Sequence, residues 1–342
     1  MDLPDPSPVL TLIEAFRGSK VMFAAVSLGV FDHLAEAGTA QELASALQVQ
    51  TEPLERLLDA CVGLKLIHRN GLHYENLPVA QAYLCRKGPQ SLTGYILYSN
   101  EVLFRLWSYL EDAVREGTPR WKQSLGSEGS IFEHFFRTPE AKHTFLQGMH
   151  GLGTLSSPAV AQAFDLSRFK QLVDLGGATG HLAIAACERF PDLRAVVFDL
   201  AEVIGAAQIH VSQSPARGRI RTAAGDFFRD ELPEGDLFAL GRIVHDWPDE
   251  KVDALLRKIY RTLPHGGGLL LAEKMLHDDK SGPVSAQLQS LNMLVCTEGK
   301  ERSLEEYRQL LEAAGFRDIQ GSITQRPLDA IFALKPRDAG AK

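Results

Sequence analysis

One stretch of ten residues, Gln171 to Gly180 (QLVDLGGATG), limits what this chain can fold into more than any other. A short apolar run, Leu172-Val173, ends on Asp174 and breaks at once into Gly176, Gly177 and Gly180. HLAIAACERF follows with helical periodicity. The pattern is that of a buried strand, a tight turn and a helix N-terminus. Glycine admits positive φ and lets the backbone pass close to a ligand, and the first N–H groups of a helix have no partner inside it. A glycine-rich turn alone leaves the ligand open.

From residue 171 onward, short apolar runs alternate with helical patterns: RAVVFDL, AEVIGAAQIHV, RIRTAAGDFF, DLFALGRIV, DEKVDALLRKIYRTL and GGLLLAEKML. Apolar runs separated by helices predict a parallel sheet covered on both faces, an α/β doubly wound, Rossmann-like domain over residues 166–342. The amphipathic SLEEYRQLLEAAGF precedes two final strands, QGSITQ and DAIFALK, with a hairpin around Arg326-Pro327 as one way to join them.

The first 110 residues read differently. Two helical patterns fill residues 9–35, and the second (VMFAAVSLGVFDHLAEA) is apolar nearly all round, which predicts burial on every side, with a partner subunit as one cover. Two short helices with Thr39 and Thr51 as expected N-caps, then a hairpin around Asn70-Gly71, outline a winged helix. Such a module binds DNA or stabilises a dimer. Its second helix carries Glu52, Glu55 and Asp59 against Arg56, a charge that phosphate would repel, so dimerisation is the favoured reading. Residues 111–165 form an irregular helical connector with Phe132, Phe135, Phe136, Phe145 and Met149. These aromatics read as core packing or as the lining of an apolar pocket between domains, with Phe145 and Met149 as candidate acceptor contacts.

Composition narrows the function. A net charge of −7 offers no basic surface for nucleic acid. Cys61, Cys85, Cys187 and Cys296 are scattered without a CxxC pair, which points to free thiols in a reducing compartment. No apolar run reaches membrane-spanning length and the N-terminus lacks a secretory pattern, so a cytoplasmic protein without a membrane partner is expected.

In a doubly wound sheet the ligand lies beyond the carboxyl ends of the strands. Three successive ends carry acids: Asp174, then Asp199 in VVFDL, suited to a ribose diol, then Asp226 in AAGDFF, with Phe227 beside it for an adenine. Each is alternatively a helix cap. Together they favour a nucleoside ligand with few phosphates over a nicotinamide dinucleotide, since a sulfonium and an amino group prefer acidic surroundings. The fourth strand leads into GRIVHDWPDEK and His245; Glu273 ends the fifth strand and Glu301 lies in TEGKER. Carboxylates beside an imidazole fix its tautomer and raise its basicity, which suits removal of a hydroxyl proton. No dense metal-ligand set is evident, so no metal is expected.

DLGGATG, VVFDL, AAGDFF, GRIVHDWPDEK and LLLAEKML stand in an order and spacing that resemble the class I S-adenosylmethionine-dependent O-methyltransferases. SLNMLVCTEGKERSLEEY is similar to the acetylserotonin O-methyltransferase branch, and the likeness extends to the C-terminal region of the acetylserotonin O-methyltransferase-like proteins, where a nucleotide-pyrophosphatase-like domain precedes it. The resemblance implies S-adenosylmethionine as cofactor, a small aromatic hydroxyl (hydroxyindole or phenol-like) as acceptor, and an intertwined homodimer. Gly176 would approach the methionine end, Asp199 the ribose, and Gly225, Asp226 and Phe227 the adenine. Arg242 matches a further cofactor-contacting position. His245 would take the proton, with Glu273 and Glu301 flanking it, and Trp247 and Asn292 would shape the acceptor pocket. Four positions depart from the pattern: Ala178 replaces a glycine of the turn, Cys296 replaces a pocket glutamine, and Phe136 and Gly153 replace cofactor-contacting aromatics. An active enzyme and a dimeric scaffold that has lost activity are the two readings that follow.

Overall fold

Short runs of β-branched and leucine residues, each closed by glycine, proline or an acid, fold as strands here because both of their faces are covered. The computed structural model describes residues 3–126 and 131–337, and the chain divides into two units, Met1–Phe104 and Arg105–Lys342.

In the first unit a single helix runs from Ser7 to Leu28 and stops at Gly29, whose φ of +81° ends it in the left-handed conformation. The expected pair of helices over residues 9–35 is therefore one long helix followed by a single turn, Val30–His33. Gly18 lies in its interior but no proline interrupts it, and an interior glycine costs only about 1 kcal/mol. Within the second of those patterns Ala25, Val26, Val30, Phe31 and Leu34 are buried and Val21, Met22 and Phe23 partly so, while Leu28 is 43% exposed in the single chain. In the first pattern Val9, Leu10, Leu12, Ile13 and Phe16 are each more than half exposed.

The winged-helix outline holds. Helices Ala40–Leu47 and Thr51–Gly63 are followed by strands, and with β1 (Gly38–Thr39), β2 (Ile67–Asn70) and β3 (His73–Asn76) a three-stranded sheet forms in the order β1-β3-β2. Thr39 caps its helix in a reciprocal box with Glu42, but Gln50, not Thr51, occupies the next N-cap position. The acids of the second helix are used internally: Arg69 of β2 reaches Asp59 at 2.7 Å and Glu55 at 3.1 Å.

The second unit is built on a seven-stranded sheet. Its strands are β4 (Gln171–Leu175), β5 (Arg194–Asp199), β6 (Ile220–Ala224), β7 (Leu237–Gly241), β8 (Gly268–Glu273), β9 (Arg317–Ser322) and β10 (Asp329–Leu334), in the spatial order β6-β5-β4-β7-β8-β10-β9. All pairings are parallel except those of β10, which is antiparallel to both neighbours and forms the anticipated closing hairpin with β9. Alternate residues feed two cores. Leu172, Val197 and Ala239 pack with Leu182 and Ala186, while Val173, Leu175 and Leu240 pack with Leu255, Ile259 and Leu311. The order reverses at β4, which lies between β5 and β7, so its carboxyl end is the switch point at which sheets of this kind bind ligands. The long helix Pro139–Gln162 packs on helix His181–Arg189, which leaves that same end.

Candidate active site

At the end of β4 the chain turns through Gly176 (φ +66°) and Gly180 (φ +78°). A Cβ at Gly176 would sit 2.5 Å from Ile243 Cδ1 and 3.3 Å from Phe227, so only glycine fits this turn. Asp174 points behind the turn: its Oδ2 accepts from the Ala183 N–H at 3.2 Å, at the start of the following helix. Burial pushes its carboxyl up to about 7 against that hydrogen bond, and the nearby Asp199 adds to the rise.

Asp199, at the end of β5, uses one oxygen to accept from the Ala178 N–H (2.8 Å) and the other from the Leu200 N–H (2.7 Å). Burial likewise lifts it, to about 6. Gly225 packs against the Phe198 ring where a Cβ would not fit, and its N–H donates to the Asp199 carbonyl at 3.0 Å. Asp226 accepts from the Phe228 N–H at 2.8 Å, and Phe227 tilts against Phe228 with ring centres 4.8 Å apart. Arg242 adopts φ +57°, and its N–H donates to Ala272 of β8.

His245 lies on the single turn Val244–Asp246 after β7 and is 2% exposed. Its Nδ1 stands 2.6 Å from Glu301 Oε1 and 3.5 Å from Glu273 Oε2, and its Nε2 is 3.7 Å from Asp246 Oδ1. Glu273 Oε1 accepts from the N–H groups of Ile243 (3.0 Å) and Val244 (2.8 Å), which fixes the turn to the end of β8. Burial would depress the imidazole, but the carboxylates of Glu301, Glu273 and Asp246 outweigh it and hold His245 up at about 9. Burial also raises Glu273, opposed by the charge on His245. Sequence reading passed over Asp246, although it follows His245 directly in VHDW.

The aromatic residues make one chain of ring contacts: Trp247 on Phe132 (5.9 Å), Phe132 on Phe135 (6.2 Å), Phe135 stacked on Phe145 (4.2 Å), and Phe145 edge-on to Phe136 (6.2 Å). Met149 lies one turn beyond Phe145 on the same helix and is partly buried. Asn292 Oδ1 accepts from Trp107 Nε1 at 2.8 Å and lies 3.6 Å from Cys296 Sγ. No sequence signal links Trp107 to Asn292, which are 185 residues apart.

The O-methyltransferase domain profile matches residues 107–317, and the O-methyltransferase dimerisation domain profile matches residues 10–86. The chain belongs to the O-methyltransferase family.

This methyltransferase is 41% identical over 342 residues to the acetylserotonin O-methyltransferase of Gallus gallus, covering 98% of this chain and 99% of that protein. It is 42% identical over 336 residues to a human probable bifunctional dTTP/UTP pyrophosphatase/methyltransferase protein, covering 97% of this chain but only 54% of that protein. The crystal structure of human N-acetylserotonin methyltransferase in complex with SAM superimposes with a TM-score of 0.92 at 38% identity, over 98% of this chain and 99% of that one. Two departures from the family pattern have clear places in the methyltransferase. Ala178 holds φ +49°, the left-handed conformation that glycine would adopt freely. Gly153 lies under the ring of His181, which fills the space where a side chain at 153 would project. His181 Nδ1 is tied to Ser157 (2.8 Å), and His150 Nδ1 to Thr179 within the glycine turn (2.8 Å), two links that sequence reading did not anticipate.

Proposed function

We propose that the chain transfers a methyl group from S-adenosylmethionine to the hydroxyl of a small aromatic acceptor, of hydroxyindole or phenol type, with His245 as general base and without a metal. The observation that carries the reading is the 2.6 Å contact between buried His245 Nδ1 and Glu301 Oε1, which leaves Nε2 as the proton-accepting nitrogen.

The residues around the glycine turn fit the cofactor. Gly176 and Gly225 keep the turn and the adjoining loop free of side chains, and Asp199 offers lone pairs beyond those its two backbone donors use. Asp226 and Phe227 would supply polar and apolar contacts to the adenine, and Arg242 and Asp174 would support the turn. When bound, the cofactor supplies a methyl group on a sulfonium, activated toward an oxygen nucleophile.

Phe145, Met149 and Trp247 would hold the acceptor ring, with Asn292 and Cys296 closing the polar end of the site. His245 Nε2 takes the hydroxyl proton as the oxygen becomes nucleophilic. A phenolic hydroxyl ionises near pH 10, so a base of about 9 is closely matched to it and proton transfer is nearly balanced. Base assistance contributes about 10²–10⁴-fold and alignment of the reactants supplies most of the rest. His245, Glu273 and Glu301 have donor atoms close enough for a metal ion. A proton accounts for them better: 2.6 Å is a hydrogen-bond length, whereas two ligands of a tetrahedral zinc stand roughly 3.3 Å apart. The exposed apolar face at Leu10, Leu12, Ile13 and Phe16, within the dimerisation match, supports a homodimer.

Calorimetric titration with S-adenosylmethionine and S-adenosylhomocysteine, followed by methyl-transfer assays on a panel of hydroxyindoles and phenols, tests the reading. Micromolar binding and turnover of at least one acceptor are expected. Folded, dimeric protein that binds neither nucleoside would overturn the reading and leave a scaffold.

A further inference from the structure

We infer that Arg302 is a positioning residue for His245, holding the turn that carries the imidazole against the loop that carries Glu301. The inference rests on His245 being the base of the proposed reaction. Arg302 is 1% exposed, among the largest fully buried side chains of the molecule. Burying a guanidinium is costly unless its donors are satisfied, and here all five are. Nη1 donates to the Val244 carbonyl (3.0 Å) and the Lys300 carbonyl (3.2 Å). Nη2 donates to the Trp247 carbonyl (3.0 Å) and to Asp249 Oδ1 (2.6 Å), and Nε donates to the same oxygen (3.1 Å).

Two of those acceptors bracket the base. Val244 precedes His245 and Trp247 follows Asp246, so one rigid plane pins both ends of the turn on which the imidazole stands. The residue before Arg302 is Glu301, whose carboxylate meets the imidazole itself. The two loops are also closed on each other elsewhere. The Glu298 N–H donates to the Asp246 carbonyl at 3.2 Å, and Gly299 lies so close to the backbone of His245 and Trp247 that a Cβ would not fit. The 2.6 Å contact between His245 and Glu301 is thus set by backbone held from outside it. Lysine cannot substitute, because a single ammonium cannot reach both carbonyls and Asp249 from one plane. Arg302 touches no reacting atom in this arrangement. Asp249 is 49% exposed, which gives the clamp an outer end that can be altered without opening the core.

The test is ¹⁵N NMR titration of the histidines in the intact chain without ligands, with His245 assigned by loss of its signal in His245→Gln. In Arg302→Lys and in Asp249→Asn the titration midpoint of His245 is expected to fall by about one pH unit, as Glu301 is no longer held against Nδ1. Acceptor turnover should fall roughly tenfold or more while the affinity for S-adenosylmethionine stays within about twofold. An unmoved His245 midpoint in the Asp249→Asn protein, whose change lies at the surface, would overturn the inference whether or not Arg302→Lys folds. Failure of the proposed reaction shows separately, as unchanged methyl transfer by His245→Ala.

Discussion

Nδ1 of His245 and Oε1 of Glu301 stand 2.6 Å apart, and each residue is only 2% exposed. Burial alone would make this imidazole a poor base, and Glu301, with Glu273 and Asp246 behind it, holds it up at about 9. Protonated His245 cannot accept a proton, so kcat/KM should rise with pH, about tenfold per unit, and level off near 9. Replacing Glu301 with Gln removes the largest of the charges that oppose burial. The rise should then shift to lower pH and the plateau should fall by about 10²-fold. A pH-independent rate between 6 and 9 would count against His245 as the base.

Ala178 pays a conformational penalty for its φ of +49° while its N–H binds Asp199. Ala178→Gly keeps that hydrogen bond and removes the Cβ, and should stabilise the protein by about 1 kcal/mol. In thermal unfolding this reads as a rise of roughly 2 °C.

Gly153 and His181 share one volume. Gly153→Ala should destabilise by about 1–3 kcal/mol, since the buried methyl must displace the ring or break its contact with Ser157. In a His181→Ala background the same Gly153→Ala change should cost little. Additive losses in denaturant titration would show that the two sites are independent.

His150 is depressed to about 4, by burial and by the facing His210, and His181 to about 3, by burial and by the charges of His150, Arg242 and His210. Both lie below the ordinary histidine value of about 6.5, so the unfolded chain binds protons first and stability is lost as pH falls from 6.5 toward 4. Asp174 and Asp199, raised by burial, pull the other way between about 4 and 7. The measurable quantity is therefore the difference between proteins. The gap in unfolding midpoint between wild type and His150→Gln should narrow on going from pH 7 to pH 5.

The parts of the fold that could be read from the sequence are those where a local pattern coincides with burial. VVFDL and LLLAE announce β5 and β8 because apolar residues on both faces leave only the strand end polar. The ends of these strands then place Asp199 and Glu273 without further information. The N-terminal helix was less legible, because Gly18 looks like a break while Gly29 makes the actual one. Trp107 and Asn292, or Gly153 and His181, meet only through packing of distant helices, and nothing in either local pattern records the meeting. Arg302 was hidden for another reason: a lone arginine in a charged stretch such as EGKER reads as solvated surface, and only the enclosed carbonyls around it show otherwise.

Asp199 spends one oxygen on Ala178 and the other on Leu200, stapling the turn after β4 to the end of β5. In a lineage that gave up methyl transfer this acid would still hold the turn through those two hydrogen bonds, so its persistence alone would say little about turnover. Glu301 is the acid to compare, since its oxygen faces the imidazole and not the backbone of the turn.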